Sequence, residues 1–291
     1  MKPNPDYTVP VLNSILLGSD FSAGSLTAFH HALKGALMAK SKLTILHVSP
    51  EAAVAWTEFP GVRETLERWG LLPAGSPKSA VPQLGIDVRK AIARDSNPVK
   101  AVLGYLEKHP ADLVVLTTHT HEGRATWLRQ SVAEPIARQA GQMTLFVPDR
   151  VAGFVSPRDG SVSLECILIP IAAQPRPQPA VAAAVRLAMR LQLPGGTFVL
   201  LHVGEPDAMP VVQCPAVPGW EWKKVTCTGD VIRSIVDTAA REAADLMVMS
   251  TDGRNGFLDA LRGSHSERVL RNAPCPLLTV PQGSFAGGAL D

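Results

Sequence analysis

The chain has 291 residues, 46% of them hydrophobic, with 28 lysines and arginines against 26 aspartates and glutamates. That length suits two ordinary domains with separate cores, and the near balance of charge, 16 basic to 13 acidic residues through residue 150 and 12 to 13 beyond it, leaves no basic field for nucleic acid. No apolar run reaches membrane-spanning length, the stretch Met1 to Asp6 has no signal-peptide core, and four scattered cysteines without a C-x-x-C pair read as reduced thiols, so a cytoplasmic protein with no membrane or nucleic-acid partner is expected.

Residues 1–12 read as a polar, proline-punctuated arm. Ser14 to Gly18 is a short apolar run and so a buried strand; Asp20 stands at its carboxyl end. Leu26, Phe29, Leu33 and Leu37 recur at spacings of three and four, which predicts a helix from Ser25 to Ala39. Lys42 to Val48 is the second strand. Residues 50–82 form an insertion rich in Pro, Gly and Ala, with one amphipathic helix around Val62, Leu66 and Trp69 that would serve as a lid or as packing. Ile86 to Arg89 alternates as an edge strand does. Pro98, after Asn97, opens a helix to about Lys108. A strand over Ala111–Leu116, a helix over Ser131–Gln139 and a strand over Met143–Val147 complete the half.

Residues 149–163 read as a linker, after which the order repeats. Glu165–Ile169 is a strand, Gln178–Leu191 a helix, Thr197–Val203 a strand and Glu221–Cys227 an edge strand. Asp230 caps a helix to about Ala244, Asp245–Met249 is a strand, a helix follows Ser264, and Pro276–Val280 is the last strand. Residues 111–148 align on 244–281 without a gap, with 15 of 38 positions identical, so the chain is a duplication. Strands separated by helices imply a parallel sheet with right-handed crossovers. Such sheets bind ligands beyond the carboxyl ends of the strands, where strand order reverses.

Ser250-Thr251-Asp252-Gly253 follows a strand at one of those ends, and nine residues separate Gly253 from Gly263-Ser264. Ser264-His265-Ser266-Glu267 reads as a capping box, so the loop delivers a helix N-terminus. Unpaired N–H groups and the positive end of the helix dipole then point the same way, which suits an anion.

This arrangement resembles the universal stress protein family, in a tandem two-domain form, over nearly all of residues 11–281. The family's nucleotide motif is Gly, two residues, Gly, nine residues, Gly, then Ser or Thr; the second copy departs only in having Ser250 for the first Gly. Asn272-Ala273-Pro274-Cys275-Pro276-Leu277-Leu278-Thr279-Val280 also resembles the family's ending. The resemblance implies two doubly wound five-stranded parallel sheets packed as a pseudo-two-fold pair through Thr144–Val147 and Leu277–Val280. The implied domains are 1–148 and 164–283, with a tail over 284–291. It implies an adenine nucleotide, ATP or AMP, with Mg as a companion of ATP, in a regulatory protein of the stress response. In the family, an Asp after the first strand lies near the nucleoside. The first copy keeps it as Asp20 but has Thr120 and Gln130 at glycine positions, where side chains obstruct phosphate; the second keeps the loop but has Ala172. One site is therefore expected, in the second copy. Its base would lie between Ile171, Ala172, Val203 and Met249, and its phosphates against Ser250, Gly253, Gly263, Ser264, His265 and Ser266.

Other classes stay open: a ligand-free interaction scaffold with an unknown protein partner, or a slow hydrolase using Asp252 or His265. His119, His121 and Glu122 offer two imidazoles and a carboxylate close together in sequence but no evident further ligand, so a solvated or hydrogen-bonded loop rather than zinc is expected. His47 and His202 end strands and read as structural, His30-His31 as surface, and Trp220 and Trp222 as core packing or a cover for the second cleft. The oligomer would be a monomer holding an internal pseudo-dimer, or a homodimer.

Overall fold

The computed structural model describes residues 12–50, 55–118, 132–251 and 272–282. The first half comprises β1 (Ser14–Ser19), α1 (Ala23–Ala39), β2 (Lys42–Val48), α2 (Val62–Arg68), β3 (Asp87–Ala93), α3 (Pro98–Lys108), β4 (Leu113–Thr118), α4 (Ala133–Ala140) and β5 (Met143–Pro148). The second comprises β6 (Cys166–Pro170), α5 (Gln178–Arg190), β7 (Gly196–Val203), β8 (Trp220–Cys227), α6 (Val231–Arg241), β9 (Leu246–Thr251) and β10 (Leu277–Pro281). Among the described residues no helix is long and apolar enough to cross a membrane.

The strands form one sheet in the order β3-β2-β1-β4-β5-β10-β9-β6-β7-β8. Neighbours within each half are parallel. At the centre β5 and β10 run antiparallel, Phe146 opposite Leu277, Leu145 opposite Leu278 and Thr144 opposite Thr279. The two expected sheets therefore fuse edge to edge through the expected strands, making a ten-stranded whole. Every residue of β9 and β10 is buried, as continuous apolar runs covered on both faces should be. The outer strand β8 instead alternates and exposes Glu221, Lys223 and Lys224, charges that discourage a further strand from pairing.

One identity of the repeat has a visible use. The Asn13 and Ser14 N–H groups donate to Asp112 Oδ2 at 2.8 and 2.9 Å, and the Glu165 and Cys166 N–H groups to Asp245 Oδ2 at 2.8 and 2.9 Å. In each half one carboxylate thus fixes the entry to the first strand with two charge-assisted bonds. Asp245→Ala is expected to cost about 2 kcal/mol, and Asp245→Asn, which keeps an acceptor, about half of that; urea unfolding of both variants measures it.

Two segments are more ordered than their composition suggests. The insertion holds α2 and a 3-10 turn, Lys78–Leu84. The linker folds back on itself through a Val155–Val162 bridge, and its Pro157 carbonyl accepts from Arg68 Nε at 2.9 Å. Together they cover α1, so His30 and His31 are buried, at 4% exposure each, and not on the surface. The His31 Nδ1–H donates to the Thr27 carbonyl at 2.8 Å, and Nε2 accepts from the Phe154 N–H at 3.1 Å. Gly153 lies against this ring with φ +69, where a Cβ would collide with the imidazole.

Candidate functional site

Strand order reverses between β1 and β4 in the first half and between β6 and β9 in the second. The ladders there are short. β1 and β4 pair only from Ile15 with Leu113 to Leu17 with Val115, and β6 and β9 only at Ile167 with Leu246 and Leu168 with Met247. Beyond those pairs the strands part, which opens a crevice at each set of carboxyl ends.

In the first crevice the described residues leave about 60 Å³, bounded by Gly18, Asp20, Val48, Thr117 and the start of α4. That is less than half of the roughly 150 Å³ that holds benzene in an engineered cavity. Asp20 is committed to the start of α1. Its Oδ1 accepts from the Ser22 N–H at 3.0 Å, from the Ser22 hydroxyl at 2.6 Å and from the Ser25 hydroxyl. Ser22 in turn caps the helix by accepting from the Ser25 N–H. Gly24 lets α1 start close to the sheet, since a Cβ there would come within 2.9 Å of Thr117 Cγ2. Phe21 stacks on His47 at 3.9 Å, and Phe59 from the insertion meets Phe21 edge-on at 5.0 Å. The insertion thus closes the strand ends on the α1 side.

In the second crevice Val203 and Met249 lie in the apolar layer facing α6, with Leu168 and Leu201, whereas Ile171 packs in the opposite layer facing α5. The three side chains therefore do not converge on one pocket wall. What Ile171 presents at the crevice is backbone: its carbonyl accepts from the His202 Nδ1–H at 3.2 Å, as the Ser19 carbonyl accepts from the His47 Nδ1–H at 2.7 Å. These paired histidines hold the turn after the first strand in each half. Ala172 is exposed. Ser250 is buried, and its hydroxyl accepts from the Ala180 N–H at 3.1 Å. That bond caps α5, which has Pro177 at its N-cap and no side-chain bond of its own there. Serine in place of the motif's first glycine therefore has a structural use that spacing alone does not reveal. Ser250→Ala is expected to cost about 1 kcal/mol through loss of this cap, read as a lower midpoint in urea. The equivalent Thr117 hydroxyl is buried and meets no hydrogen-bond partner among the described residues.

Gly253, Gly263, Ser264, His265 and Ser266 lie outside the described residues, as do Thr120, Gln130, the His119–Glu122 cluster, Asp252 and Glu267. Among the described residues no three His, Cys, Asp or Glu side chains gather as metal ligands would. Burial pushes the Cys166 thiol up to about 11 and the Cys275 thiol up to about 12, with Asp245 adding to both. Both stay protonated at neutral pH and are poor nucleophiles. Trp220 and Trp222 sandwich Phe198, at 4.4 and 4.5 Å between ring centres, so they pack the core.

The profile of the universal stress protein family matches residues 12–148 and 215–281. A universal stress protein of Methanocaldococcus jannaschii is 50% identical over 46 residues, 16% of this chain and 27% of that protein, so the likeness spans about a quarter of the relative's length. In three dimensions the chain is similar to a universal stress protein from Archaeoglobus fulgidus, with a TM-score of 0.60 and 16% identity over 94% of this chain and 99% of the other. A functionally unknown protein from Pseudomonas aeruginosa shares the fold as well, with a TM-score of 0.56 and 14% identity over 94% and 95% of the two chains. A family match over both halves, on a sheet whose crevices open at the two points of strand reversal, places the chain in the universal stress protein family.

Proposed function

We propose that the protein is a regulatory adenine-nucleotide-binding member of its family, with one working site, in the second of two units spanning 1–148 and 164–283. The observation that carries this reading is the parting of β6 and β9 after Leu168 and Met247. It opens a crevice directly before the sequence Ser250-Thr251-Asp252-Gly253, which continues to Gly263-Ser264. Two glycines in that sequence would let phosphate approach backbone N–H groups, and the capping-box sequence Ser264-His265-Ser266-Glu267 would supply a helix N-terminus that favours anions. Val203 and Met249 would form the apolar side of the base site, and the Ile171–Ala172 backbone its edge. In the first crevice the Asp20 carboxylate is engaged by Ser22 and Ser25, which supports assigning the nucleotide to the second.

No lysine occurs between Ser250 and Ser266, so the phosphates would rely on backbone donors, with Arg254 and Arg262 as helpers, and Mg would accompany ATP. Few charge-assisted contacts imply an affinity on the order of micromolar. Gly263→Val puts a branched side chain where phosphate would sit. Calorimetry with ATP should give saturable heat for the wild type and none for the variant; equal heats, or none from either, would remove the case for this site.

A further inference from the structure

A second chamber lies away from both crevices, at the pseudo-two-fold axis. It occupies about 190 Å³ between the carboxyl-terminal halves of α1 and α5. Its floor is the centre of the sheet. Leu145 and Leu278 stand opposite one another in the antiparallel register, so both point to this face. Met38 comes from α1, Leu187 and Leu191 from α5, and Phe154 of the linker closes one side. His31 also faces it, and burial holds that imidazole neutral, at a pKa of about 4.

The charged lining is cationic. Lys34 on α1 and Arg186 and Arg190 on α5 border the chamber, and no aspartate or glutamate does so among the described residues. Lys34 and Arg186 correspond in the two halves, at the same offset of 152 residues that relates Ser19 to Ile171. Burial lowers the Lys34 pKa, and the exposed Asp159, whose charge acts the other way, does not reach ion-pair distance. Long cationic side chains of this kind lay their methylenes along apolar surface and keep their heads at its rim.

We propose that this chamber binds an amphipathic carboxylate of medium chain length, its tail over Leu145 and Leu278 and its carboxylate against Lys34 and Arg190. Both parts follow from the lining. Apolar lining gains by covering itself with hydrocarbon; since about 150 Å³ holds the six carbons of benzene, this volume holds about eight. A carboxylate meets guanidinium and ammonium groups with strong, charge-assisted bonds. A neutral or cationic amphiphile lacks the second contribution.

Octanoate is the probe, titrated calorimetrically into the full chain, with octanol and butyrate as companions. Octanoate should bind saturably, with Kd on the order of 0.1 mM. Each methylene removed should weaken binding about fourfold, so butyrate should be weaker by roughly 200-fold. Lys34→Gln and Arg190→Gln change side chains at the chamber's mouth. Together they should weaken octanoate about tenfold and leave octanol unchanged. Leu187→Trp fills the chamber and should abolish binding of both; a near-ultraviolet dichroism spectrum checks that this variant is folded. Absence of saturable octanoate binding up to about 10 mM, octanol binding as tightly as octanoate, or octanoate binding untouched by the two charge removals would each overturn the proposal.

Discussion

Between pH 6.5 and pH 4 the protein is expected to lose about 3 kcal/mol of stability through His31 alone. The ring is buried, its Nδ1–H is given to the Thr27 carbonyl and its Nε2 lone pair to the Phe154 N–H. Burial is the larger cause that lowers its pKa from 6.5 to about 4, with the neighbouring His30 a smaller one. Because the folded pKa is depressed, the neutral ring's contribution is complete above pH 6.5. It is lost as the pH falls towards 4, since the unfolded chain takes up a proton that the folded chain refuses. His30, lowered to about 4 by burial and by Arg68, acts in the same direction. Carboxylates elsewhere also titrate at the acid end, so the informative quantity is a difference. His31→Asn keeps a donor for Thr27 but does not titrate. Its deficit against the wild type in urea at pH 7 should shrink steadily at pH 6 and pH 5. Parallel profiles for the two proteins would mean that the imidazole is protonated within the fold. The first step of acid unfolding should be release of the linker, since protonation of Nε2 ends the bond that holds Phe154 to α1.

The sheet was legible in the sequence because its strands are continuous apolar runs with sharp ends, and because two runs of 38 residues repeat. Asp230 was legible as a cap and Asn97-Pro98 as a helix start, and the Asp230 and Asn97 side chains accept from the Arg233 and Lys100 N–H groups. The antiparallel meeting of Thr144 and Thr279 was reached through resemblance, since no local pattern encodes which edge strand finds another. Contacts made by distant segments were beyond local reading. His30-His31 looks like surface by helical position, yet α2 and the linker, far away in sequence, cover it. Ser250 looks like a weakened phosphate glycine, yet Ala180, 70 residues earlier, takes its hydroxyl. The side chains of Ile171 and Met249 were grouped by strand ends, but alternation along the strands sends them to opposite layers.

Phe146→Ala is expected to destabilise the protein by about 4 kcal/mol and to lower the unfolding of both halves together. Phe146 is completely buried on β5 and stands opposite Leu277 on β10, so it belongs to both halves at once. The apolar layers on the two faces of the sheet also run through both halves. One joins Leu33 and Val115 to Val185 and Val248, and the other joins Val114 and Ile136 to Met247 and Leu277. Removing the ring deletes contacts in the layer that holds Val114, Ile136, Met247 and Leu277, and leaves a cavity that fixed backbones on either side cannot fill. The loss should therefore appear as one displaced transition in urea, with the fluorescence of Trp69 in the first half and of Trp220 in the second changing at the same denaturant concentration. Single-tryptophan variants separate these signals. If the second half kept its transition while the first moved, each half would carry its own stability, and the ten-stranded sheet would be a seam between two independently folding units.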